Sequence, residues 1–580
     1  MRSRAWVLVG VVALASVLLD LQWTHPLQWD EVEFFRATRW IAEGRVPFRD
    51  FWEHHLPLQW YVFAPAAALL SDGPGVTSVL ALRWVQLALW IALFAILGRA
   101  DVPSARAGGT PALLLLASPL FARTAIEYRL DALGSVCYIA ALALAVLRPR
   151  SRGAWIAAGA LMSAGVLANM RMMPLAIATG ALLLFFDGEE RRWRWNATAL
   201  WMLPGIAMMA LAFAAWLFAS GAYPGFVEAM RYNVDSNRLL TREAHTLLPV
   251  LLLPFTTFDA AAIALWLGAI CGSVLALREI RRPGLLQLFA LLAIVSVVIV
   301  TQLGVHYVYH LQLPLLLMAP LAASLITNER IERIALIALA VIAAVNLARH
   351  IDPPIGAAMR YQDTVMREVD RRTLPNERVW DGVGHALRRE PAYQYWFLPS
   401  GVRMLVPRGM LRPPYGAAEM IAAPPAAIVN SYRVHLWLSQ FPDAGAYATH
   451  HYIPLYRDLW LPGLSAAVGP GKSAEWIAPR AGRYRLYASD LLLKHPWFQQ
   501  PLNYAIYAGP DAPIFTVPLR ELPPSRATLT IDGASVTGTT FALRKGARVR
   551  LQSPWSTPMG VMIIPDDLTE IFITPAAGGM

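Results

Sequence analysis

Long apolar runs, separated at every second break by arginine clusters, constrain this chain more than any other feature. Runs of spanning length or nearly so lie at about 78–98, 108–122, 131–147, 153–169, 172–187, 197–219, 257–277, 284–304, 311–327 and 333–349. A helix crossing a bilayer needs roughly 20 mostly apolar residues. With the basic-then-apolar start MRSRAWVLVGVVALASVLLDLQW, the expectation is about 11 transmembrane helices. That start lacks a small-x-small cleavage site near its end and reads as an uncleaved first helix. Arg99 and Arg106, Arg148, Arg150 and Arg152, Arg191, Arg192 and Arg194, Arg278, Arg281 and Arg282, and Arg330 and Arg333 mark alternate connections. Cytoplasmic loops collect arginine and lysine, so the pattern places the N-terminus in the cytoplasm. An odd number of spans then places the C-terminal region outside.

The segment PLQWYVFAPAAALLSD (57–72) is apolar but short and interrupted by Pro65, and it reads as an interfacial helix. A span there would invert every later loop and spoil the arginine alternation. The formal charge of +11 invites a nucleic-acid reading, but the basic residues sit in short clusters between apolar runs, without interleaved aromatics. No nucleic-acid partner is expected. Cys137 and Cys271 both fall inside apolar runs, which excludes a disulfide framework or a thiolate metal site.

Near residue 351 prolines become frequent and spanning runs stop. The expected fold is a polytopic α-helical membrane domain at 1–350, a soluble α/β region at 351–470 and a β-sandwich at 471–580. The sandwich rests on the alternation in RYRLYAS, ATLTIDG and TFALRKGARVRLQS. Its aromatics Trp497, Phe498, Tyr504 and Tyr507 offer a sugar platform, with buried core as the simpler role.

The candidate chemistry sits on outer loops at 23–77, 123–131 and 220–256. The first contains WDEVEFFRATRWIAEGRVPFRDFWEHHLP, dense in acids, aromatics and histidines. Asp30 reads as an N-cap, with Glu33 completing a capping box and Gly44 ending the helix, or as a catalytic carboxylate. The two roles are compatible, because a cap fixes the side chain. Val32, Phe35 and Ile41 would rest in the headgroup region. In the second loop, Arg123, Glu127, Arg129 and Asp131 either pair with one another or serve a site, and Asp131 stands where a span begins. Ionisable groups at membrane depth are costly and usually functional. Arg171 in LANMRMMPLA is a snorkelling arginine or a phosphate ligand, for which the guanidinium fork is suited. His306, Tyr307, Tyr309 and His310 cluster at the outer end of a late run. The chain has no GxxxxGK[ST] loop, dinucleotide fingerprint or HExxH motif, so an activated substrate carried by the membrane is favoured over a nucleotide.

These residues resemble the first outer loop of GT-C glycosyltransferases. The branch is that of protein O-mannosyltransferases, the lipid A aminoarabinose transferase and the RgtA/B/C/D-like enzymes. The pattern is Asp30-Glu31, Gly44, Pro47-Phe48, Asp50 and His55-Leu56-Pro57-Leu58; Asp131, NMRMMP and YHLQLPLLLMAP (309–320) follow in order. The resemblance covers roughly residues 5–350. It implies an inverting transfer of a sugar from a polyprenyl-phosphate donor to a hydroxyl of a cell-envelope acceptor, lipopolysaccharide, glycolipid or protein. The reaction would take place on the periplasmic face of a bacterial inner membrane. Asp30 would be the base, with Glu31 and Asp131 orienting base or sugar or holding a divalent ion, the one cofactor left open. Arg171, Arg123, His306 or His310 would stabilise the departing phosphate, and Glu127, Asp50, His54 and His55 would line the substrate site. The competing readings are a lipid-linked glycan transporter or flippase and an O-antigen polymerase or ligase. A transporter predicts repeated halves and broken helices at the bilayer midplane, whereas here the polar residues gather at one face.

Overall fold

The computed structural model describes residues 25–70, 73–99, 118–187, 192–243, 260–281, 284–301, 308–326, 353–411, 414–456, 459–488, 520–522 and 528–568, with isolated positions between them. The expected first helix, the run at 333–349, His306 and the four aromatics between 497 and 507 lie largely or wholly outside these residues. The chain divides into two compact units, Met1–Gly73 with Thr77–Ile355, and Pro74–Val76 with Gly356–Met580.

The first unit is a bundle of mostly apolar helices, with polar α1 and α9 among them: α1 (Trp29–Ala42), α2 (Leu58–Leu70), α3 (Thr77–Arg99), α4 (Pro119–Ile126), α5 (Leu130–Leu147), α6 (Arg152–Ala168), α7 (Met173–Leu183), α8 (Met202–Ala219), α9 (Tyr223–Glu243), α10 (Ala260–Arg278), α11 (Leu285–Thr301) and α12 (Gln312–Ala323). Among the described residues three helices, Leu130–Leu147, Ala197–Ala219 and Ala261–Arg278, are long and apolar enough to cross a membrane. Six further apolar helices are shorter. The run expected at 172–187 yields only α7, because Phe186–Asp187 turns into a two-stranded hairpin with Arg192–Trp193. Small residues let helices approach closely: a Cβ at Gly159 of α6 would overlap the Met202 carbonyl of α8, and one at Gly205 would overlap the Ile156 carbonyl.

Helix α1 departs from the expected capping box. Its N-cap is Gln28, so Asp30 lies inside the first turn, where a carboxylate favours the positive end of the helix dipole without capping it. Gly44 follows the helix at φ +87°, a left-handed conformation that glycine adopts without steric cost. Val32, Phe35 and Ile41 are buried within the protein rather than presented to headgroups. The reason is that α1 packs along α2, whose Trp60 meets Phe34 at 5.7 Å.

The second unit holds two kinds of sheet. A five-stranded sheet runs in the order Glu390–Pro391, Arg378–Trp380, Ala427–Val429, Leu459–Pro462, Tyr452–Tyr456. Its first three strands are parallel and its last two antiparallel. Val365 and Val369 of α13 (Pro353–Arg372) pack in one cluster with Val379, Ala427 and Val429. Beyond it lie two antiparallel sheets, one containing Leu464–Val468, Gly482–Ala488, Thr540–Leu543 and Met559–Pro565, the other Ser473–Ile477, Thr528–Ile531 and Arg548–Gln552. Trp476, Leu486, Leu529, Phe541, Val549 and Ile563 form a shared core of the two.

Candidate active site

The loop between α4 and α5 is only Glu127 to Arg129, and it carries the centre of the site. The Arg129 guanidinium meets three carboxylates: Nη2 donates to Asp30 at 3.0 Å, Nη1 to Glu127 at 3.1 Å and Nε to Asp131 at 3.4 Å. The face of this guanidinium lies 3.6 Å from the ring centroid of Tyr309, and the Arg171 guanidinium lies 5.7 Å from the same ring. Two cations thus share one aromatic, an arrangement worth more when water is excluded. Asp30 and Asp131, 101 positions apart in the chain, are gathered on one arginine.

The surroundings fix these groups. Asn169 donates to Asp131 Oδ1 at 2.9 Å and accepts from the Arg171 backbone N–H at 3.1 Å, placing the short turn Met170–Met172. Glu31 is fully buried and forms a two-pronged pair with Arg83, at 2.5 and 2.7 Å. It also accepts from the Tyr128 backbone N–H at 3.1 Å, and Gln86 accepts from the Arg129 backbone N–H at 2.9 Å. Burial favours the neutral form of the Glu127 carboxyl, but the hydrogen bond to His25 and the charges of Arg129, His25 and Arg83 overcome it and hold its pKa below the ordinary range.

A second cluster follows α1. One ligand atom from each of Glu33, Glu53, His54 and His55 lies within 4.8 Å of the others. His55 Nδ1 stands 2.9 Å from Glu53 and 3.6 Å from Glu33, and the backbone N–H groups of His54 and His55 donate to Glu53. Trp52 stacks on His54 with centroids 5.4 Å apart, and Asn233 of α9 donates to the His54 carbonyl at 2.7 Å. Burial raises the Glu53 carboxyl pKa and lowers that of both imidazoles, that of His55 to about 3. Neutral imidazoles and carboxylate oxygens within bonding reach of one point suit a first-row divalent ion. The mixed set fits such an ion, whose charge would also favour the ionised form of Glu53.

Helix α9 closes over this loop at Gly225, where a Cβ would overlap the Phe48 carbonyl, and Phe48 itself sits at φ +68°, a conformation rarely taken by a bulky residue. Gly225→Ala is expected to lower stability by about 1–3 kcal/mol and to shift α9 from the loop, read as a lower melting temperature in detergent. An unchanged melting temperature would mean the two segments are not tightly packed.

Of the residues expected from the sequence, Asp30, Glu127, Asp131 and Arg171 come together around Arg129 and Tyr309. His54 and His55 join the neighbouring cluster. Glu31 lies in the Arg83 pair behind them. Asp50 is engaged at the loop surface by Arg49 and the Val46 N–H. His310 has its ring 4.6 Å from that of Tyr309. Arg123 is in α4, not in a loop, and its side chain and all of His306 lie outside the described residues. Arg83, Gln86 and Asn169 were not anticipated. Their signal was available: an arginine and a glutamine inside an apolar run, the combination that bilayer energetics penalises.

No protein-family model matches the sequence, and no curated protein matches it significantly. The fold is similar to that of ArnT from Cupriavidus metallidurans bound to undecaprenyl phosphate, with a TM-score of 0.54 at 15% identity over 79% of this chain and 98% of that one. A more distant likeness, at TM-score 0.40 and 12% identity, covers 77% of this chain and 72% of an Archaeoglobus fulgidus oligosaccharyltransferase tethered with an acceptor peptide. The likeness to ArnT, at 15% identity, is one of fold.

Proposed function

We propose that this chain is an inverting glycosyltransferase that moves a sugar from a polyprenyl phosphate to a hydroxyl of a cell-envelope acceptor, on the periplasmic face of the membrane. The observation that supports this most is the gathering of Asp30 and Asp131 on Arg129 beside Arg171, in a chain whose fold is similar to that of ArnT. A carboxylate held at the edge of a buried cationic pair is equipped to take a proton while anionic charge develops nearby.

In this reading the Asp30 carboxylate removes the proton of the acceptor hydroxyl as its oxygen attacks the anomeric carbon. The bond from that carbon to the phosphate oxygen breaks with inversion, and the lipid phosphate leaves with the electron pair. Arg171 faces the developing phosphate charge, Arg129 orients Asp30 through its hydrogen bond, and Asp131 with Asn169 fixes the turn that carries Arg171. Glu31, locked to Arg83 and the Tyr128 N–H, acts by positioning the loop of Arg129. Glu33, Glu53, His54 and His55 would hold a divalent ion, which when bound would order the first loop and add positive charge beside the site.

Glu53→Gln is expected to weaken binding of zinc to the purified protein by more than the roughly 10–100-fold typical of losing an outer-shell partner, measured by metal content after dialysis against a buffered zinc concentration. Equal metal content in wild type and variant would count against this ligand set. The transferase reading itself is tested in detergent solution with labelled polyprenyl-phosphate sugars and envelope extracts. Transfer there requires no sealed compartment. Activity seen only as movement of lipid-linked sugar across sealed vesicles would contradict a transferase and favour a transporter.

A further inference from the structure

The second unit carries a group of buried polar side chains that none of the chemistry above uses. In its parallel sheet Val379 pairs with Ala427 and Trp380 with Ile428. Side chains alternate across a strand. Val379, Ala427 and Val429 pack with α13, so Trp380, Ile428 and Asn430 belong to the opposite face. On that face Trp380 meets Tyr415 with ring centroids 5.0 Å apart, Tyr415 stacks on Tyr393 at 5.2 Å, and Tyr393 meets Trp437 at 5.5 Å.

Within this aromatic group, the Trp380 indole N–H, the Tyr415 hydroxyl and both amide atoms of Asn430 have no hydrogen-bond partner among the described residues. Asn430 is fully buried, and Trp380 and Tyr415 are 2% and 3% exposed. Native interiors satisfy nearly all such groups, and each one left without a partner costs on the order of 1–3 kcal/mol. Three neighbouring residues in this condition on one face point to a ligand. Their place agrees with this. Asn430 follows the parallel strand Ala427–Val429 and precedes Tyr432–Gln440, while Ser431 donates to the Asp381 carbonyl beyond the neighbouring strand. The strand order Glu390–Pro391, Arg378–Trp380, Ala427–Val429 makes the carboxyl ends of the last two a topological switch point, where open α/β sheets bind ligands.

The chemistry narrows the ligand. The Asp381 carboxylate is already taken up by the N–H groups of Val383, Gly384 and Ala386, so its charge is spent on its own turn. The three side chains themselves are neutral, an indole donor, a phenol and a carboxamide that both donates and accepts, set among aromatic rings, with the charges of Arg378 and Glu419 acting on Tyr415 from nearby. That set matches the hydroxyl rim and apolar C–H faces of a saccharide better than an ion or a fatty chain.

We infer that the Trp380–Tyr415–Asn430 face of this unit is a binding site for a neutral sugar. The test is saturation-transfer difference NMR on the full-length protein in detergent, with free hexoses, pentoses and 2-acetamido hexoses at millimolar concentration. Asn430→Leu and Tyr415→Phe are compared with wild type and with Asp131→Asn, which reports sugar held at the membrane site. At least one sugar is expected to bind wild type and Asp131→Asn alike, and about tenfold more weakly to both Asn430→Leu and Tyr415→Phe. The melting temperature of Asn430→Leu should equal or exceed that of wild type, because a polar group kept for a ligand costs stability when the ligand is absent. Tyr415→Phe removes only an oxygen and carries the binding test if Asn430→Leu folds poorly. No sugar binding to wild type, or binding lost only in Asp131→Asn, would overturn the inference. A marked fall in melting temperature for Asn430→Leu with sugar binding unaltered in Tyr415→Phe would also overturn it, by making the amide a structural partner.

Discussion

Arg129→Gln is expected to abolish activity and to lower the melting temperature of the detergent-solubilised protein more than any other single change at the site. The guanidinium is almost fully buried and holds Asp30, Glu127 and Asp131 at 3.0, 3.1 and 3.4 Å. A glutamine amide cannot neutralise three carboxylates. Removing one partner of a buried ion pair typically costs about 3–5 kcal/mol, because the remaining charge is left uncompensated. Against a total stability of roughly 5–15 kcal/mol, that is enough to deplete the folded protein. Arg129→Lys keeps the charge but not the fork, since the ammonium's N–H groups all leave one nitrogen and cannot span three carboxylates that the guanidinium reaches from three separate nitrogens. It should restore much of the melting temperature while activity stays low. Equal melting temperatures for wild type and Arg129→Gln would show that the arginine is not the hub described above.

Asp30→Asn tests a different quantity. Asparagine has nearly the same shape, and because the N-cap of α1 is Gln28, the change removes no cap. Arg129 loses one ionic partner but keeps Glu127 and Asp131, so no buried charge is left uncompensated; the lost charge at the helix N-terminus costs about a further 0.3–1 kcal/mol, and the variant should fold. What it loses is basicity. General-base catalysis contributes roughly 10²–10⁴-fold, so the turnover rate should fall by that factor while donor affinity, set by the arginines and the lipid tail, changes little. A raised KM with unchanged kcat would instead assign Asp30 to binding.

Much of the site was legible before the structure because bilayer physics makes polar residues conspicuous. Asp131 at the start of an apolar run and Arg171 in a tight turn stood out for that reason, and both lie in the central cluster. The partnerships were not legible. Nothing in the sequence says that Arg129 reaches back 99 positions to Asp30, or that Glu31 pairs with Arg83 rather than turning to substrate. These contacts depend on how helices pack, which short motifs do not encode. Asp30 as a cap failed on a local detail: the helix starts at Trp29 with Gln28 as its cap, two residues earlier than the sequence spacing suggests. The α/β sheet illustrates the same limit in the second unit. Strands of three residues, such as Arg378–Trp380, are too short to show alternation, and their pairing with Ala427–Val429 is visible only in the fold.

Single-turnover transfer of a radiolabelled sugar from polyprenyl phosphate to envelope acceptors, by purified wild type and Asp30→Asn at matched folded concentrations, tests the proposed function most directly. Labelled acceptor is expected with wild type, and a rate at least about 100-fold lower with the variant. Equal rates would remove Asp30 from the chemistry, and no transfer by wild type from any such donor would contradict the proposed function itself.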